Sequence, residues 1–149
     1  MPTLPESPVF RLYVLCCTIL SLLMLTLAAM TAARRARKQG YLNPEDARIA
    51  FKDARLVDGA EHPETARIVR AHRNLNESLP MFFALGLACA LSGASVVASE
   101  VLIGVFTGAR VLHAIVYLKE LQPWRTMMYA VGSLALVGMM VVSLMAVFA

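Results

Sequence analysis

Residues 12–33 read LYVLCCTILSLLMLTLAAMTAA, 22 consecutive positions without an Asp, Glu, Lys, Arg or His. A helix of that length is ~33 Å long, which matches a bilayer hydrocarbon core of ~30 Å. Outward from this run the chain repeats the pattern. Residues 78–99 form a second uncharged run of 22, residues 101–118 are interrupted only by Arg110 and His113, and residues 126–149 carry no charge. None of the runs alternates with period two, and in lipid each segment must satisfy its own backbone hydrogen bonds, so helices are expected rather than barrel strands. The expectation is an all-α integral membrane protein: a four-helix transmembrane bundle in one domain over 1–149. Its spans are expected at about 10–34, 66–96, 98–119 and 123–148, around a cytoplasmic loop of about 35–65.

Composition points the same way. The 149 residues are 58% hydrophobic and 16% charged, where a soluble chain carries about 25% charged and about 45–50% apolar residues. Disorder, collagen-like repeats and a disulfide-stapled secreted module are excluded. Cys16, Cys17 and Cys89 all lie inside apolar runs, with no CxxC or histidine pairing suited to a metal, so they read as packing thiols and no metal is expected.

Charge distribution orients the chain. Of the 14 Lys and Arg residues, ten lie between Arg34 and Arg73, and Lys119 and Arg125 flank the other connection on the same side. The positive-inside rule puts both connections in the cytoplasm and both termini, with Glu6 and the Ser92–Glu100 turn, outside or in a lumen. The cluster Arg34, Arg35, Arg37, Lys38 follows the first apolar run instead of preceding it, so that run is a retained anchor and not a cleaved signal. Apart from Arg35, the cluster is an orientation signal with headgroup contacts, and no nucleic-acid partner is expected.

The hydrophilic loop has signals of its own. Asn43-Pro44-Glu45-Asp46 reads as a helix start, with acids facing the helix dipole, and predicts a short helix through about Arg55. His62-Pro63-Glu64 opens the second long helix, which begins in water before reaching lipid near Ser78. Pro123-Trp124 opens the fourth, its indole at the interface. Gly104 and Gly108 form a GxxxG, and Gly86 and Ala90 a small-xxx-small pair, spacings that let helices approach closely.

Ionisable residues near the membrane fall into stripes. At 100° per residue, Arg70, Arg73, Asn74 and Glu77 lie at about 0°, 300°, 40° and 340°. Arg110, His113 and Tyr117 share one face of the third helix, and Arg125 and Tyr129 repeat the pattern at i, i+4 in the fourth. A charge in mid-membrane costs about 2.5–3.5 kcal/mol even on a lenient scale, so these groups must face one another or something bound. Pro80 removes the partner of the Asn76 carbonyl and should kink the second helix beside Glu77. One reading is an ion-pair network fixing registry, with Glu77 against Arg110 or Arg73. The other starts from the surplus: Arg70, Arg73, Arg110 and Arg125 face a single acid, Glu77. Guanidinium groups in excess ask for an anion, which Arg grips through a planar fork, and Glu77 leaves room for one cationic group. A small peptide with two carboxylates and an amine has that chemistry.

These same residues carry a family resemblance. Glu64-Thr65-Ala66-Arg67, the run Arg70-Ala71-His72-Arg73-Asn74-x-x-Glu77-x-x-Pro80, then Ala109-Arg110-Val111-Leu112-His113 to Tyr117-Leu118, then Gln122-Pro123-Trp124-Arg125 resemble the membrane-associated proteins in eicosanoid and glutathione metabolism, the MAPEG family. The likeness covers about residues 35–132 and is closest to the microsomal glutathione transferase and prostaglandin E synthase branch, notably at Asn43-Pro44-Glu45-Asp46. It implies homotrimers that bind glutathione near the cytoplasmic side, between subunits. It also implies that Arg73, Asn74, Glu77, His113 and Tyr117 hold glutathione, with Arg70 close by and Arg35 reaching in from the adjoining chain. By the same resemblance Arg125 stands beside the sulfur with Tyr129 one turn on, Asp46 matches an aspartate proposed to pair with that arginine, and Thr126 takes the place of a serine of the prostaglandin branch. The Tyr117 to Arg125 connection is one residue shorter than in that branch, and both departures count against a prostaglandin isomerase.

The expected activity is therefore a membrane-bound glutathione transferase or peroxidase. Arg125, which does not titrate, would hold the thiol as thiolate for attack on a lipophilic electrophile or lipid hydroperoxide arriving from the bilayer. A non-catalytic lipid-binding scaffold of the same fold is the alternative from another class. A transporter would need a polar path across the whole bilayer, which the apolar fourth helix beyond Tyr129 does not offer.

Overall fold

A computed structural model describes residues 4–38, 40–50, 55–56 and 61–149. After a 3-10 turn at Leu4–Glu6 come α1 (Pro8–Lys38), β1 (Gly40–Tyr41), α2 (Pro44–Ala50), β2 (Arg55–Leu56), α3 (Pro63–Leu91), α4 (Val96–Leu118) and α5 (Trp124–Phe148). The described fold is thus helical apart from one two-residue parallel pair, Gly40 against Arg55 and Tyr41 against Leu56. This corrects the expectation of a helix running to about Arg55: the described helix stops at Ala50, and Arg55 is in a strand.

Of the four long helices, α4 packs most extensively on α5, and α1 lies against both α3 and α4. α1 buries only Val9, Cys16, Leu20 and Leu27, a seam at spacings of seven and four that lies along one line of the helix. Leu15, Leu22 and Leu25 on its other faces are exposed, as are Leu134, Met145 and Val147 of α5. An apolar exterior of this extent is unstable against water and stable against lipid. Helices α1, α4 and α5 are each long and apolar enough to cross a membrane.

α3 differs for a reason the uncharged run concealed. The run 78–99 is divided in the structure: α3 ends at Leu91, Gly93 takes φ 72, and α4 starts at Val96 with Ser95 accepting from the Ala98 N–H. The uncharged part of α3 is therefore 14 residues, ~21 Å of helix against a core of ~30 Å. Its N-terminal half carries the charges, capped by the His62 imidazole, which accepts from the Glu64 N–H. The helix continues through Pro80.

At the centre Phe82 of α3 stacks on Phe106 of α4, with centroids 4.6 Å apart, and Leu20, Ile103 and Met139 close around them. Close approach uses Gly86, not the GxxxG. A Cβ at Gly86 would lie 2.7 Å from the Tyr13 ring, whereas Gly104 and Gly108 face open space within the chain. Tyr13 is fixed there because its hydroxyl donates to the Phe83 carbonyl at 2.9 Å.

Candidate functional site

The polar faces of α4 and α5 meet. Arg110 is 2% exposed, and its guanidinium lies over two rings, 5.2 Å from the Phe106 centroid and 5.0 Å from that of Tyr129. It fits because position 132 is glycine: a Cβ there would stand 3.1 Å from the arginine Nε. His113, also buried, meets Tyr117 edge-on at 5.6 Å and Tyr129 at 6.0 Å. Arg125 then caps the series, 4.9 Å from the Tyr117 centroid. The rings of Tyr117, His113 and Tyr129 thus form a row with Arg125 at one end and Arg110 at the other. Cation–π contact offsets part of the desolvation of both guanidiniums but supplies no hydrogen-bond acceptor.

That shortfall is visible at Arg110. Its Nε and Nη1 are buried without a hydrogen-bond partner, and so is Oδ1 of Asn74 on α3. Between them a cleft of about 190 Å³ is lined by Asn74, Glu77, Arg110, Tyr129 and Ser133. Its remaining wall, with Met81, Leu136 and Met140, is apolar apart from Ser78, whose hydroxyl donates to the Leu75 carbonyl at 2.9 Å. Buried donors and an acceptor left open around a cleft are costly in an empty protein and are what a polar ligand satisfies.

Carboxylates are allotted elsewhere. Arg34 pairs with Glu64 at 2.5 Å, Arg35 with Glu61 at 2.6 Å, and Arg67 with Glu120. Glu120 thereby anchors the turn between α4 and α5, where it takes φ 62, a left-handed conformation uncommon outside glycine. Arg110 and Arg125 meet no carboxylate among the described residues. The Gln122 amide is satisfied when its oxygen faces Arg125, 3.2 Å from Nε and 2.5 Å from Nη2, and its nitrogen donates to Thr126 Oγ1 at 3.3 Å.

The expected set is therefore brought together only in part. Arg110, His113, Tyr117, Arg125, Thr126 and Tyr129 form one continuous region, with Asn74 and Glu77 across the cleft. Arg70 and Arg73 do not join it: both point outward from α3, whose inward arc is occupied by Ile68, Leu75, Leu79 and Phe82. Glu77 pairs at 3.8 Å with Arg73, one of the two partners expected of it, but both are well exposed on one helix, so this pair fixes no registry between helices, and no Glu77–Arg110 pair forms. Arg35 and Asp46 lie apart from the cleft as well, together lining another of about 340 Å³ with Tyr41. Asp46 is exposed and accepts from the Asn43 amide at 3.1 Å. Gln122, Ser133 and Gly132 were missed. Gln122 stands three positions before Arg125 and Gly132 one turn beyond Tyr129, spacings that could have drawn attention to both.

The MAPEG family profile matches residues 13–145. The chain is 32% identical over 128 residues to prostaglandin E synthase of Equus caballus, covering 85% of this chain and 82% of that one. It is 31% identical over 135 residues to prostaglandin E synthase of Homo sapiens, covering 90% and 87%. With microsomal glutathione S-transferase 1 of Rattus norvegicus it shares 31% over 131 residues, covering 87% and 84%. Identity thus does not choose between the two kinds of enzyme. Apolar helices of membrane length, arginines gathered where no acid among the described residues pairs with them and a profile spanning nearly the whole chain have one common account: this is a multi-pass membrane protein of the MAPEG family.

Proposed function

We propose that the protein is a glutathione-dependent transferase or peroxidase that acts on lipophilic substrates. The observation carrying this is the pair of guanidiniums, Arg110 and Arg125, set in aromatic surroundings and ion-paired to no carboxylate among the described residues. The open groups fit glutathione chemically. Arg110 Nε and Nη1 are donors suited to a carboxylate, while Asn74 Oδ1 and Glu77 are acceptors suited to an ammonium or peptide N–H. Arg73, His113, Tyr117 and Tyr129 complete the binding set in this reading, with Arg70 close by.

Bound glutathione supplies a thiol of pKa near 8.5, only a few per cent ionised at neutral pH, whose thiolate is the nucleophile. Arg125 contributes a permanent positive charge, and the Tyr117 ring beneath it keeps water from one side, which strengthens that charge's effect. Thr126 and Asp46 are assigned supporting roles, the former through Gln122. The apolar wall of Met81, Leu136 and Met140 admits the second substrate from the lipid side.

The site needs more than one copy of the chain. Arg73 and Glu77 are exposed, and Arg35 is paired with Glu61 and lines other clefts of its own chain, so a homotrimer of four-span subunits with cytoplasmic sites between neighbours brings them to one ligand. The charged half of α3 is then sheltered by neighbours, which allows α3 to serve as the fourth span. A prostaglandin E synthase-like isomerase is the second reading, favoured by the names of the relatives.

Calorimetry of purified protein with glutathione tests the proposal. Binding is expected, and Arg125→Ala is expected to lose most turnover while affinity changes by less than about threefold, the pattern of an interaction spent on the transition state. Absence of binding leaves the lipid-binding scaffold. Formation of prostaglandin E outpacing conjugation and hydroperoxide reduction would select the isomerase.

A further inference from the structure

The geometry points to Gln122 as a positioning residue that holds Arg125 without neutralising it. Arginine in a poorly hydrated place is ordinarily met by a carboxylate, and such a pair is strong because it cancels charge. Here the partner is an amide. In the amide orientation that satisfies both of its ends, its oxygen stands 3.2 Å from Arg125 Nε and 2.5 Å from Nη2, and its nitrogen donates to Thr126 Oγ1 at 3.3 Å, which holds the amide oxygen towards the arginine. The Tyr117 ring, 4.9 Å away, supports one face of the guanidinium. The Nε–Nη2 edge is thus tied down, the plane is fixed by the ring, and Nη1 remains for a ligand with the full positive charge intact. This rests on the reading of Arg125 as the cation opposite the glutathione sulfur.

Nearby charges leave that arrangement intact. Glu120, two positions before Gln122, is taken by Arg67. Lys119 is exposed at the end of α4, and His113 touches Tyr117 edge-on. A carboxylate at position 122 would therefore be the first to meet Arg125 among the described residues.

Glutamate has the shape of glutamine, so Gln122→Glu keeps the contact and cancels the charge, whereas Gln122→Ala keeps the charge and removes the contact. The experiment is the pH dependence of thiolate absorbance and of conjugation rate with glutathione bound. Gln122→Glu should move the midpoint of both profiles upward by about one unit, cutting the rate several-fold near neutral pH and about tenfold well below the midpoint, while rates converge at high pH. Gln122→Ala should lower the rate a few-fold at every pH with the midpoint in place. Arg125→Ala, run alongside, should move the midpoint at least as far as Gln122→Glu. If Arg125→Ala moves it and Gln122→Glu does not, the assignment of Gln122 is overturned and the reading of Arg125 stands. If Arg125→Ala leaves the midpoint in place, both fall.

Discussion

The guanidinium of Arg110 lies 5.0 Å from the ring centroid of Tyr129, and two of its nitrogens have no acceptor. Such a group weakens the empty protein: a buried charge without a carboxylate costs several kcal/mol, and replacing it with an apolar side chain of similar length is often stabilising. Arg110→Met is therefore expected to leave the melting temperature of the ligand-free protein in detergent unchanged or higher. Glutathione affinity should fall at least tenfold, and with it most of the stabilisation that saturating glutathione confers. A lower melting temperature with unaltered affinity would make Arg110 a structural residue.

Tyr117 supports Arg125 by its ring face, not its hydroxyl. Tyr117→Phe should then retain most of the turnover, whereas Tyr117→Leu removes the cation–π platform, worth about 0.5–2 kcal/mol, and should cut kcat by roughly 3- to 30-fold. Steady-state rates at saturating glutathione separate the two. Equal losses in both variants would assign the role to the hydroxyl.

Much of this arrangement was legible beforehand. Helical spacing put Arg110, His113 and Tyr117 on one face and Arg125 with Tyr129 on another, and the structure joins those faces. Helical spacing could not show that the arginines of the α3 stripe turn away while Asn74 and Glu77 line the cleft, because periodicity reports which side chains share a face, not which neighbour meets it. The buried arc of α3 goes to Ile68, Leu75, Leu79 and Phe82, and Arg70 and Arg73 follow outward. The break at Ser92–Ser95 falls within the expected Ser92–Glu100 turn, but its exact place was not legible: Ser, Gly and Ala interrupt a helix without adding charge, so the uncharged run does not show that α4 already begins at Val96. Gln122 was passed over because a search for ion pairs does not register a neutral partner.

Gly86 fixes the packing behind the site. A methyl group there would stand 2.7 and 2.8 Å from two carbons of the Tyr13 ring, which is itself held by the hydrogen bond to Phe83. Neither side can yield cheaply, so Gly86→Ala should destabilise the protein by about 1–3 kcal/mol, read as a lowered melting temperature. Shortening the obstacle with Tyr13→Leu in the same chain should recover part of the loss. A neutral Gly86→Ala would mean that α1 and α3 are free to separate.

Arg35 offers the most direct test of assembly. In its own chain it is bound to Glu61 at 2.6 Å and lines clefts with Asp46 and His62, away from Arg110 and Tyr129. If it serves a ligand, that ligand must lie on another copy. Arg35→Ala and Arg125→Ala should each lose most activity alone, yet co-expression of the two should restore some. A site is then intact when its own subunit supplies Arg125 and its neighbour supplies Arg35, which random mixing in a cyclic trimer gives for about a quarter of sites. Were Arg35 to act within its own chain, no mixed assembly would contain an intact site, because every subunit lacks one of the two arginines. Turnover of purified mixed assemblies, set against an equal mixture of the separately purified variants, distinguishes these outcomes. Recovery near a quarter of the wild-type rate places the site between subunits, and recovery no greater than the unmixed control means that Arg35 acts within its own chain.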